Sequence, residues 1–236
     1  MKAGEVVGLF LESVWRELNG EERDGLHVTE LVELEICERK FWFRRHLDEP
    51  PDVRSLLRMW KGRKLHETAI SVDHEMEVEH EGVKGRIDEV FIRYDENYTA
   101  RAWLVDKKFV GFLPASERDV KRYYSHYILQ LELYAYMYTV DRRTPVEGCV
   151  LLFVNTEEEP YFHVHAWKPN LRKAEKTFRE LRTRAEEIDR AEQPPPRNPD
   201  YMPSQYPCNY CDYTSRCYIH PEFNSVTRST AAGNSG

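Results

Sequence analysis

The sequence predicts an α/β fold, one mixed sheet flanked by helices. Two observations carry this. Stretches 5–18, 54–71 and 170–192 repeat apolar residues at helical spacing. Between them lie short segments that alternate or run continuously apolar, as strands do. In chain order these read as N-terminal helices, three antiparallel strands, a helix, two further strands, a long helix and a cysteine-bearing tail, an order that suits one sheet covered by helices.

The first helix is "EVVGLFLESVWREL", 5–18, closed by Asn19-Gly20. A second is expected over 30–45, with Thr29 as N-cap. Pro50-Pro51 ends that region, and 54–71 reads as a third helix. "HEMEVEH", 74–80, alternates; Glu81-Gly82 supplies a turn, and "VKGRIDEVFIRY", 83–94, is its hairpin partner. A further turn leads into "RAWLVDKKFV", 101–110, as a third strand. The aromatic-rich stretch 118–140 has helical periodicity, "EGCVLLFVN", 147–155, reads as a buried strand, and "YFHVHAW", 161–167, as its neighbour. In 170–192, Leu171, Ala174, Phe178, Leu181, Ala185 and Ile188 form one apolar stripe. A proline-rich linker, 193–203, precedes the cysteines, and the small polar residues of the last stretch predict a disordered tail.

Composition limits the function classes. The 236 residues carry a net charge of −7, which taken alone counts against a nucleic-acid partner. Between 39 and 64 the balance reverses, with nine Lys and Arg against Asp48, Glu49 and Asp52, so a local basic surface is expected there. There is no apolar run of bilayer length and no secretory leader, so a reducing cytoplasm is expected and no membrane partner. In that compartment five cysteines favour metal binding or burial over disulfides.

Two strands carry the candidate chemistry. Asp88 lies in "GRIDEVF" and Asp106 and Lys108 in "LVDKKF". Residues two apart on a strand share a face, so Asp106 and Lys108 point together while Lys107 points away. Pairing of the two strands brings Asp88 beside Asp106. Two adjacent carboxylates repel one another, and a divalent cation with a preference for oxygen ligands, Mg²⁺ or Mn²⁺, removes that cost. Lys108 would hold or orient an attacking water. Taken alone, "DKK" reads first as a surface ion pair; the carboxylate of Asp88 in an apolar strand weighs against that. His66, in "GRKLHE", and Gln130 with Tyr134, four apart on one helical face, fit the same site. His163 and His165 share a strand face, where plain alternation accounts for them. Tyr123 and Tyr124 are either core aromatics or surfaces on which bases stack.

Three cysteines in "PCNYCDYTSRC", 207–217, call for a fourth metal ligand. By chemistry alone a structural zinc and an iron–sulfur cluster both remain open. Cys149, inside "GCVLLFV", reads as buried.

The order Cys37, "GRKLHE", "GRIDEVF", "LVDKKF", "QLELY" and "CNYCDYTSRC" resembles the RecB-like branch of the PD-(D/E)xK nucleases, and within it the CRISPR-associated exonuclease family Cas-four. The likeness runs from about Thr29 to Cys217. It implies a restriction-endonuclease-like core with an N-terminal helical cap joined to the C-terminal segment by an iron–sulfur cluster on Cys37, Cys208, Cys211 and Cys217, [4Fe–4S] rather than [2Fe–2S]. It further implies metal ligation by His66, Asp88, Asp106 and the Lys107 backbone carbonyl, water positioning by Lys108, and support of the site by Gln130 and Tyr134. Family members commonly carry Glu at the position of Asp106. On this resemblance the chain is one nuclease domain over 1–222, divided into cap (1–72), core (73–192) and linker with cluster segment (193–222), followed by the tail. The implied activity is metal-dependent trimming of DNA, single-stranded or at free ends, during CRISPR spacer acquisition beside integrase proteins. A RecB-like repair nuclease, a non-catalytic DNA-binding adaptor and a zinc-stapled regulatory module are the alternatives, and a homo-oligomer stays open.

Overall fold

The computed structural model describes residues 3–19, 25–47, 53–67, 69–155, 157 and 159–219, without the side chains of 3–6, 16–19, 54, 58 and 64–66. The expected tail, 223–236, lies outside the described residues. The elements are α1 (Ala3–Asn19), β1 (Leu26–His27), α2 (Val28–Ile36), α3 (Glu38–His46), α4 (Val53–His66), β2 (Asp73–His80), β3 (Val83–Tyr94), β4 (Ala100–Phe109), α5 (Glu117–Tyr123), α6 (Ser125–Arg142), β5 (Val146–Val154), β6 (Phe162–Trp167), α7 (Leu171–Asp189) and α8 (Thr214–Ile219). The six strands of the described residues form one sheet, mixed as predicted; the short β1 was not expected. Among the described residues no helix is long and apolar enough to cross a membrane.

Strand β3 organises the sheet. The Glu81-Gly82 turn, both residues at positive φ (47° and 77°), closes the β2–β3 hairpin. β2 runs antiparallel along one edge of β3, from Val83 to Val90. The other edge is shared. β1 pairs in parallel with Val83 and Lys84, and β4 pairs antiparallel from Glu89 onward. Residues 85–88 therefore have no ladder partner on that edge, and a gap opens where β3 and β4 part. β4 pairs in parallel with β5, and β5 antiparallel with β6. The parallel step needs a crossover, which α5 and α6 provide.

Alternation explains the core. Leu104 on β4 and Cys149, Leu151 and Phe153 on β5 point to one face and are fully buried with Leu131 and Met137 of α6 and Phe178 of α7. α2 adds Leu31 and Leu34 to this cluster. The buried stripe of α7 is Ala174, Phe178, Leu181 and Ala185, as its spacing predicts.

Local chemistry shifts three predicted helices. The helix expected over 30–45 is two helices, because Cys37 is extended (φ −159°, ψ 105°) and breaks the chain. Its N-cap is His27, not Thr29: the Glu30 carboxylate accepts the His27 N–H at 2.9 Å, so the helix starts two residues earlier. The helix expected over 118–140 breaks at Tyr124, and the one expected over 54–71 ends at His66.

Candidate active site

The β3–β4 gap holds the acidic pair. Continued past Glu89↔Val105, the antiparallel register would set Asp88 opposite Asp106. Instead of a backbone pair, the Lys107 N–H donates to Asp88 Oδ2 at 2.8 Å. One residue on, Lys108 Nζ lies 2.9 Å from Asp106 Oδ1 and 2.8 Å from Oδ2. Asp106 is buried, and Asp88 and Lys108 are half-buried. Burial by itself pulls the Lys108 ammonium down, but the facing Asp106 and the Tyr127 and Asp88 charges outweigh it, so its pKa is raised and it stays protonated. Its charge also sits 4.5 Å from the centre of the Tyr127 ring.

Helix α6 supplies the far side of the gap. Tyr134 is buried against Gly85, where a Cβ would come within 2.4 Å of its ring. Its hydroxyl hydrogen-bonds the Arg86 backbone inside the unpaired stretch of β3, and burial raises its pKa. Gln130 reaches that hydroxyl at 3.5 Å. Asp88, Lys108, Gln130 and Tyr134 all line one cleft of about 960 Å³. Arg63, Lys84, Arg86 and Arg142 line it too, facing Glu75, Glu77, Glu79 and Asp141, so its walls carry both signs.

Of the predicted site residues, Asp88, Asp106, Lys108, Gln130 and Tyr134 are thus brought together, and Lys107 presents its backbone to the same place. His66 ends α4, and its side chain lies outside the described residues. His163 and His165 are elsewhere: His165 is buried and stacks on Trp167 with centroids 5.2 Å apart, and His163 lies beside Phe153. Among the described residues no group of three or more His, Cys, Asp or Glu is placed to hold a metal ion.

The basic surface expected over 39–64 is corrected for Arg39, Lys40, Arg44 and Arg45 alone; Arg63 lines the cleft, and the side chains of Arg54, Arg58 and Lys64 lie outside the described residues. Arg39 is buried and donates to the Pro195 carbonyl at 2.8 Å. Lys40 and Arg44 both pair with Glu33, at 2.8 and 2.7 Å, and Arg45 with Asp189 at 3.0 Å. These cations are engaged in holding the fold, because α2, α3 and α7 bring acidic side chains to them.

Sequence reasoning missed Glu89. It is fully buried on the opposite face of β3 from Asp88. It accepts from Lys107 Nζ at 2.6 Å, from the Ile70 and Ser71 N–H groups at 3.0 Å each and from Ser71 Oγ at 2.7 Å. Burial works against the charged carboxylate, yet these donors prevail and its pKa is lowered. Lys107 thereby ties Asp88 through its backbone and Glu89 through its side chain. The signal was the pair of adjacent acids in "IDEV", of which only one can face each side.

The four predicted cluster cysteines come together across the chain. Cys37, Cys208, Cys211 and Cys217 line one small cavity with Phe43, Tyr213 and Tyr218. The helix break places Cys37 there; the 3-10 turn Cys208–Tyr210 and α8 place the others. Burial pushes up the pKa of Cys37 and Cys217, and that of Cys211 to about 11. Cys149 is fully buried apart from them.

A mixed sheet that sets one aspartate and an Asp-x-Lys at the fork of adjacent strands defines an α/β protein of the acid-and-lysine nuclease type. The chain belongs to the PD-(D/E)XK nuclease superfamily, whose family model matches residues 4–218. It is similar in fold to SSO0001, at 16% identity and a TM-score of 0.58, over 91% of this chain and 96% of that one. It also aligns with a phage related exonuclease from Haemophilus somnus 129PT, at 12% identity and a TM-score of 0.41, over 69% and 78% of the two chains. An alkaline exonuclease from Laribacter hongkongensis aligns at 10% identity and a TM-score of 0.38, over 75% and 92%. No curated protein matches the sequence.

Proposed function

We propose that the protein is a divalent-metal-dependent deoxyribonuclease that trims DNA, single-stranded or at free ends. The observation that carries this reading is the meeting of Asp88, Asp106 and Lys108 at the β3–β4 fork, open to a cleft of about 960 Å³. The donor set suits Mg²⁺ or Mn²⁺, since Asp88, Asp106 and the Lys107 carbonyl are hard oxygen donors; His66 would add a ligand. A bound cation supplies Lewis acidity at the phosphoryl oxygen and lowers the pKa of water. Lys108, held charged by Asp106, orients the attacking water and offers positive charge to the phosphate. Gln130 and Tyr134 line the cleft beside the β3–β4 gap, along the path of the strand.

The four cysteines would hold an iron–sulfur cluster. The four thiols line one cavity, and ligating thiols, Cys211 among them with its pKa raised by burial, would release their protons on binding. Together with the motif order, this supports a Cas-four-like enzyme that processes DNA for spacer acquisition, with integrase proteins as partners.

Asp106→Asn keeps the side-chain shape and removes the charge. It is expected to abolish cleavage of labelled DNA in magnesium or manganese while leaving the circular-dichroism spectrum and DNA binding unchanged. Cleavage by this variant at the wild-type rate, in protein free of host nucleases, would sink the assignment. DNA binding by the wild type without turnover in either metal would favour a non-catalytic adaptor.

A further inference from the structure

We propose that β6 is the docking edge for a second copy of this chain: two β6 strands pair antiparallel about a two-fold axis at Val164 and join the two sheets into one. The inference concerns assembly and stands independently of the nuclease reading.

The two outer strands of the sheet differ in character. β2 is guarded. Glu75, Glu77 and Glu79 are exposed along it, Glu75 interrupts its extended run with a φ of 48°, and Arg142 Nη2 donates to the Glu77 carbonyl at 2.9 Å. Charge, local kinks and covered backbone groups are what keep a sheet edge from pairing with another chain. β6 lacks these devices: Phe162–Trp167 contains no Lys, Arg, Asp, Glu, Pro or Gly. Among the described residues no strand other than β5 pairs with it.

The phase of the β5–β6 ladder fixes which groups face outward. The Asn155 N–H donates to the Tyr161 carbonyl at 2.9 Å, which makes these two a hydrogen-bonded pair in the register that continues Val154↔Phe162. Such pairs alternate along an antiparallel ladder. His163, His165 and Trp167 therefore turn their backbone groups to β5, and Phe162, Val164 and Ala166 turn theirs to the outer edge. The side chains of the same three residues are exposed, Phe162 by 63% and Val164 by 59%, beside the half-buried Val154 and Leu152 of β5.

An extended segment of any source can add to an open edge, but the side chains here specify the strand's own copy. Antiparallel pairing centred on Val164 sets each outward N–H against an outward C=O. It places the large Phe162 opposite the small Ala166 of the second copy, and the reverse, as an isologous interface requires. The ends match in charge. Lys168, exposed just past β6, comes opposite Pro160 of the second copy and so beside its exposed Glu159.

The test is analytical ultracentrifugation of the full-length protein, without DNA, over a concentration series. The wild type is expected to reach twice the mass of one chain, and its Phe162, Val164 and Ala166 amides to exchange hydrogen more slowly as the dimer fills. Val164→Lys sets two ammonium groups face to face on the axis and is expected to weaken the dimer at least about tenfold. Lys168→Glu, which does not touch the core, is expected to weaken it about tenfold through two lost ion pairs and the repulsion that replaces them. The double variant Glu159→Lys, Lys168→Glu restores the pairs with their signs exchanged and is expected to dimerise as the wild type does. A wild type still monomeric at about 100 μM overturns the proposal. So does a dimer that a folded Val164→Lys variant retains at full strength, since the copies then meet on another face. If Val164→Lys fails to fold, the charge variants decide: Lys168→Glu without effect, or no recovery in the double variant, removes the Val164-centred pairing.

Discussion

A single methyl group tests how the site is held open. At Gly85 a Cβ would lie 2.4 Å from Tyr134 Cε1 and 3.1 Å from Val28 Cγ2, so an added side chain collides with the ring that fills the gap in β3. Gly85→Ala is expected to cost about 1–3 kcal/mol, the usual range for overpacking, read as a lower denaturant midpoint. It should also reduce cleavage by moving the Tyr134 hydroxyl from the Arg86 backbone. An unchanged midpoint would show that Tyr134 has room to retreat. At this scale the motif residues were legible, from their order along the chain and from Asp88 in an apolar strand rather than from "DKK" alone. The need for glycine was not, because "VKGRID" says nothing of a tyrosine 49 positions later. Lys40 and Arg44 show the converse. Their charge was plain in the sequence, but their attachment to Glu33 depends on how α2 and α3 bend at Cys37.

Among the elements, the fork between β3 and β4 decides the chemistry, and the Glu89–Lys107 pair sets its geometry. Both side chains are buried, and Glu89 also holds the Ile70 and Ser71 N–H groups of the connection between α4 and β2. Glu89→Ala would strand the Lys107 ammonium in the interior. The expected loss is about 3–5 kcal/mol, as for other buried pairs broken on one side, measured by chemical denaturation. A loss below about 1 kcal/mol, the scale of an exposed pair, would mean that Lys107 finds another carboxylate. The strands themselves were legible within one or two residues, because apolar alternation is set by burial on one face. The helix breaks at Cys37 and Tyr124 were not. Both residues sit in unbroken helical periodicity, and neither is a proline or glycine. What bends the chain at Cys37 is its tertiary environment, the packing of α2 on α6 and α7 and of α3 against Tyr213.

Across the whole molecule, the C-terminal segment is stitched to the N-terminal helices by more than its cysteines. Trp42 Nε1 donates to the Ala191 carbonyl at 2.8 Å, Arg39 to Pro195 at 2.8 Å and the Tyr201 hydroxyl to Ile36 at 2.9 Å. Trp42, Phe43 and Tyr213 form a small core of their own beside Cys211 and Cys217. If the four cysteines hold the proposed iron–sulfur cluster, Cys208→Ala is expected to lose visible absorbance and bound iron and to make 193–219 more sensitive to limited proteolysis, while that segment remains partly docked. Wild-type stability and iron content in this variant would remove Cys208 from the ligand set. The sequence by itself determined the α/β class, the order of elements and the acid, lysine and cysteine motifs, because these depend on periodicity and residue type along the chain. Only the tertiary structure decided that the expected neighbours Asp88 and Asp106 lie where the β3–β4 ladder stops, with the Lys107 N–H donating to Asp88. The same holds for the basic residues engaged in the scaffold, and for Tyr127 lying beside Lys108. Each is a contact between distant segments, fixed by strand register and helix packing that local sequence does not encode.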